Sequence, residues 1–228
     1  MMLNRSGKVI KLKVAKLTVL CILAALMNIL FTVFFRDFLG LPLYIDTVFN
    51  AAVTFAAGLV PGIVVAVLSW LILCIYWKSF HFYFLCSIAE VLLIAALKPS
   101  DRLFHKKSDD LAPKEKNIAF YTGLAAKLFL LYVVCAVSIS ILGGIINYVS
   151  DMVLKIHSQF YNVEDNFKLG LIMNNFPILA TDILSRIQVN IVDRFIVIFG
   201  GYFISRGLVK LNRKDFINNV YSDKASQK

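Results

Sequence analysis

Charged side chains are scarce in this chain. Asp, Glu, Lys and Arg make up 17% of its 228 residues, against about 25% in an average soluble domain. The cysteines, Cys21, Cys74, Cys86 and Cys135, all lie inside apolar stretches and lack metal-ligand spacing. They are therefore expected to be free thiols, with no disulfide framework and no metal site. The sequence contains no HExxH, no GxSxG, no phosphate-binding loop and no paired-glutamate-plus-histidine set, so no catalytic residues or resident cofactor are expected. Internal repeats and low-complexity tracts are also missing.

What the chain has in abundance is apolar surface. Hydrophobic residues make up 59% of it and the mean hydropathy is +0.76, which indicates a polytopic membrane protein. The net charge of +10 is grouped by loop and not along a soluble face, which fits anionic lipid headgroups and argues against nucleic acid as a partner. The basic N-terminus precedes an apolar run too long for the core of an export signal, so a retained first span is expected.

About 20 apolar residues cross the hydrocarbon core. On that basis the chain divides into a basic N-terminal arm (1–16), a membrane domain (17–205) and a basic tail (206–228). Six spans are expected, at about 17–35, 43–58, 61–77, 80–97, 118–149 and 187–205. The stretch around Pro177 and Thr181-Asp182 reads as a short surface element before the last span, and 151–186 as a region able to form a lid. The arm carries five basic residues, the 98–117 loop six and the tail six, together 17 of the 24 Lys and Arg. All fall on one side of a six-span model, which puts both termini in the cytoplasm.

Ionisable groups within such spans cost about 2.5–3.5 kcal/mol each on insertion scales and are kept where they face a bundle interior or a cavity. Asn190, Asp193 and Arg194 recur at i, i+3 and i+4 and share one helical face. Asp46 and Asn50 do the same in the second span. Two polar faces at similar depth suggest an outward-opening pocket, with Asp46 and Arg194 as a charge pair when it is empty. Tyr44 and Trp70 are candidate stacking surfaces, and Asn28 is a weaker polar candidate. Glu90 and Lys127, roughly 10–14 Å from the cytoplasmic boundary, are expected to pair with each other. Small residues at Cys21 and Ala25, and at Ala52 and Ala56, allow close helix packing within the chain or against another subunit.

Leu41-Pro-Leu-Tyr-Ile-Asp46-Thr47, the small-rich helix after it and Ala57-Gly-Leu-Val-Pro-Gly62 resemble the substrate-binding S components of energy-coupling factor (ECF) transporters. Asn190-Ile-Val-Asp193-Arg194 is similar to what some members carry. The resemblance implies an all-α bundle of six transmembrane helices that captures a vitamin or related micronutrient from the outer side. It also implies partners, namely a transmembrane coupling subunit and two ATP-binding-cassette ATPases, and no enzymatic chemistry in this chain. The family's Ala-xxx-Ala docking pattern in span one is altered, since Ala24 is followed four positions later by Asn28. The alternatives from other classes are a membrane sensory or regulatory module and an assembly factor without transport.

Overall fold

The computed structural model describes residues 3–40, 45–99, 113–155 and 163–210. Among them there are seven α-helices and no strand. Helix α1 (Leu3–Thr32) continues through a wider π turn to Phe38. A 3-10 turn, Ile45–Thr47, leads into α2 (Val48–Ala57), followed by α3 (Leu59–Trp77) and α4 (Phe84–Leu97). Helix α5 (Pro113–Tyr148) ends in a π turn at Val153. The short α6 (Val163–Met173) precedes α7 (Ile178–Phe195), whose axis continues through a π turn and a further helical run to residue 210.

Four stretches are long and apolar enough to cross a membrane: Val14–Phe38, Leu59–Trp77, Ile118–Val153 and Ile178–Lys210. Ile45–Ala57 and Phe84–Leu97 are apolar but shorter. Several boundaries differ from those expected. The basic arm is already helical from Leu3, and the last span begins at Ile178, not near 187. Pro177 does not interrupt that helix because it sits before it, with φ −58° and ψ 137°. Its carbonyl accepts from the Thr181 backbone N–H at 2.9 Å and from the Thr181 hydroxyl at 3.1 Å. A proline at a helix start gives up no intrahelical hydrogen bond.

Helix α2 lies at the centre, against α1, α3, α4 and the last span. Its small residues make that position possible: Ala51, Ala52, Val53 and Thr54 are all fully buried. Gly58, at φ +99°, turns the chain from α2 into α3, a conformation that favours glycine. Side chains on α1 alternate by helical face. Cys21, Ala24, Ala25, Asn28 and Thr32 are buried, whereas Ile22, Leu23, Leu26 and Leu30 are exposed. Such an outward apolar face suits hydrocarbon. Cys21, Ala25 and Ala52 thus pack inside the chain, and Ala56 is half-buried.

The most extensive interface joins α5 and α7. The two helices approach closely at Gly144, where an added Cβ would lie 2.6 Å from the Ile183 side chain and 2.8 Å from its backbone. Backbone cannot swing aside as a flexible side chain can. The variant Gly144→Val is therefore expected to lose about 1–3 kcal/mol of stability, read as a lowered thermal midpoint of purified protein. An unchanged midpoint would refute this close packing.

Candidate functional site: a polar cavity beneath the 78–83 connection

Polar side chains from four helices and two connections meet in one half of the bundle. The Asn28 amide of α1 donates to Asn50 Oδ1 of α2 at 2.8 Å and to Ser69 Oγ of α3 at 3.1 Å. Asn28 Oδ1 in turn accepts from the Phe49 backbone N–H at 3.0 Å. Asn28 and Asn50 are almost completely buried, and a buried amide left unsatisfied would cost about 1–3 kcal/mol. These bonds therefore fix the relative rotation of α1, α2 and α3.

A cavity of about 30 Å³ opens beside this cluster. Asp46 and Asn50 form one wall, and Ala66, Ser69, Trp70 and Leu73 of α3 form another. The remaining wall comes from His81 and Tyr83 of the connection and from Phe84 and Ser87 of α4. The connection is tied down where it crosses α3, because Trp70 Nε1 donates to the His81 carbonyl at 2.9 Å. The Trp70 ring lies 4.6 Å from Phe84 and 5.4 Å from Phe80, centroid to centroid. Burial pushes the His81 imidazole below its usual pKa, which favours a neutral ring at physiological pH. Among the described residues, no salt bridge engages the Asp46 carboxylate. A larger hollow of about 230 Å³ lies between α5 and α7. Its lining offers only the Tyr132 hydroxyl as a polar side-chain group, so it has little with which to orient a water-soluble solute.

Asp46, Asn50 and Trp70 thus come together as the sequence indicated, while Tyr44 falls outside the described residues. The last-span trio does not line the cavity. Asn190, Asp193 and Arg194 are all buried, but Asn190 donates to Ser140 Oγ of α5 at 3.0 Å. Arg194 lies behind the Asp46 turn, donating to Thr47 Oγ1 at 3.1 Å. Its Nη1 meets Glu90 Oε2 of α4 at 2.5 Å, an ion pair and not a well-aligned hydrogen bond. This corrects two expected pairings: the carboxylate against Arg194 is Glu90, not Asp46, and the cation against Glu90 is Arg194, not Lys127. The reason is azimuthal. Glu90 is 0% exposed and points into the bundle toward α7, whereas Lys127 is only half-buried. Asp46 and Asp193 act on Arg194 through space.

A second polar chain was not anticipated. Tyr83 donates to Asn147 Oδ1 at 2.9 Å, and Asn147 donates to Asp182 Oδ1 at 2.7 Å. Asp182 pairs with Lys168 of α6 at 2.5 Å, and Lys168 also reaches Asp151 at 3.3 Å. Arg186 donates to the Tyr83 hydroxyl at 2.6 Å and stacks over its ring. One signal was available in the sequence: Asn147, Asp182 and Arg186 are polar groups within apolar stretches. Their partners were not, since Tyr83 and Arg186 are 103 residues apart.

No family model matches this chain, and no curated protein or solved structure matches it either.

Two outcomes follow from these charges. The variant Arg194→Met leaves Glu90 buried without its counter-ion and is expected to cost about 3–5 kcal/mol. The double variant Glu90→Gln/Arg194→Met should recover most of that loss in a denaturant-titration cycle, and additive losses would contradict the pairing. For Lys168, burial lowers the pKa, but hydrogen bonds and charge from Asp182 and Asp151 outweigh it and raise the value overall. A raised folded-state pKa means that its stabilisation is complete below the unfolded value and is lost only as pH rises through the folded one. Helix α6 should therefore hold its amide-exchange protection at neutral pH and lose it above the usual lysine range. In Lys168→Met the protection of 163–173 should already be weakened at pH 7.

Proposed function

We propose that this chain is the solute-capturing membrane subunit, or S component, of an ECF-type uptake system. It would bind a vitamin or related micronutrient from the outer side for ATP-driven import by partner subunits. The observation that carries the reading is Asp46: a carboxylate with no ion-pair partner among the described residues, lining a hollow walled also by Asn50, Ser69 and Trp70. In hydrocarbon such a group is costly, and a solute that hydrogen-bonds it removes the cost. A few placed polar groups among apolar and aromatic walls are what small-molecule capture requires.

The finer topology belongs to the same proposal. Six crossings result if the short helices Ile45–Ala57 and Phe84–Leu97 span together with their flanking segments. The grouping of basic residues then puts both termini in the cytoplasm. The sequence carries no phosphate-binding loop, so in this reading a coupling subunit and two ATPases would supply the energy. The buried small-residue face of α1 directs the search for the docking surface elsewhere on the bundle. At about 30 Å³ the cavity has room for a water or two, whereas ligand pockets run to about 300–1,000 Å³. Admission of a solute therefore requires the 78–83 connection or its neighbours to move outward. The polar chain from Tyr83 to Lys168 would couple that motion to α6.

The chain has two tryptophans, so Trp77→Phe leaves Trp70 as the sole indole reporter in the cavity wall. Titration with water-soluble vitamins should change its emission for one of them, and the same compound should be found by mass spectrometry in the purified protein. Asp46→Asn or Asn50→Ala should weaken that binding by roughly 10-fold or more. If no vitamin shifts the emission or thermal midpoint and nothing copurifies, the capture reading fails.

A further inference from the structure

Among the described residues that line the cavity, one carries formal charge at neutral pH: Asp46. Its setting is polarised. Arg194 is held by Glu90 at 2.5 Å and by Thr47 at 3.1 Å, and Arg36 lies 4.4 Å over the Trp77 ring. Both arginines act on Asp46 through space, yet neither lines the cavity. Sharing the lining with Asp46 are aromatic surfaces, Trp70 and Phe84 in ring contact with each other, together with Tyr83. The hydroxyl of Tyr83 is already committed to Asn147 and Arg186. The oxygens of Asn50 and Ser69 both accept from Asn28. Among the described residues, the wall thus offers negative charge and π faces, and no cationic side chain for an anionic solute.

We infer that the captured solute is an organic cation, with a protonated or quaternary nitrogen placed between the Asp46 carboxylate and the Trp70–Phe84 aromatic wall. This inference rests on the capture reading above and names the class of solute for the same cavity. A carboxylate supplies the opposite charge, and ring faces attract a desolvated cation through their quadrupoles. An anion would meet Asp46 across a cavity of about 30 Å³, where low polarisability strengthens repulsion. A neutral solute can offer the carboxylate hydrogen bonds but no opposite charge, and charge-assisted contacts are the stronger ones.

The test uses purified full-length protein in lipid nanodiscs and bacterial polar metabolites divided by ion exchange into cationic, anionic and neutral fractions. The cationic fraction should raise the thermal midpoint by about 3 °C or more. Asp46→Asn should abolish most of that rise, and Asp46→Glu should restore part of it. Each variant's midpoint without metabolites reports whether it folds. If Asp46→Asn does not fold, Trp70→Leu replaces it and should also remove most of the rise. Stabilisation by the anionic or neutral fraction, or a full cationic effect in either Asp46→Asn or Trp70→Leu, would overturn the class of solute and leave solute capture standing. Stabilisation by no fraction would overturn both.

Discussion

The arrangement depends on an arginine that cannot be left alone. Arg194 is 4% exposed and Glu90 is 0% exposed, so each is tolerable in the bundle only because the other is there. Breaking such a pair exposes the full cost of one desolvated charge. The pair joins α4 to α7, and the Thr47 contact of Arg194 extends the link to the turn that presents Asp46. A single guanidinium therefore sets three segments against one another at the depth of the cavity. The hydrogen bonds of Asn28 perform the same task on the opposite side, orienting α1, α2 and α3.

Between these two clusters, the cavity wall is defined with little freedom. Asp46 projects from the 3-10 turn before α2, and that turn is held from behind by Arg194. Trp70 is held by its bond to the His81 carbonyl, so the ring and the connection move together or not at all. On the far side, Tyr83 joins the cavity to α6 through Asn147, Asp182 and Lys168. The polar groups therefore serve two purposes. Some face the hollow, and the more deeply buried ones keep the first set in position.

Much of this was legible from residue order. Asp46 and Asn50 at i and i+4 do share the cavity, and Trp70 joins them. Asn190, Asp193 and Arg194 do form one buried face. Helical periodicity suffices for such statements because it relates residues within one element. The partners were not legible. Charge and depth alone allowed Arg194 to meet Asp46 and Glu90 to meet Lys127. Instead Arg194 faces Glu90, and Asn190 faces Ser140. Depth along the axis is fixed by counting residues, but rotation about the axis is fixed by neighbours.

The sequence by itself determined that the chain is helical and apolar, where its polar groups concentrate and which of them share a helix face. All of these follow from composition and from a period of 3.6 residues. Only the tertiary structure decided which polar faces meet, that Arg194 braces the Asp46 turn while none of the last-span trio lines the cavity, and that Tyr83 and Lys168 belong to one chain of contacts. Those outcomes depend on how closely small residues such as Gly144, Gly201 and Ala51 let the helices approach. Close approach sets helix rotation, and rotation decides which buried charge reaches which partner.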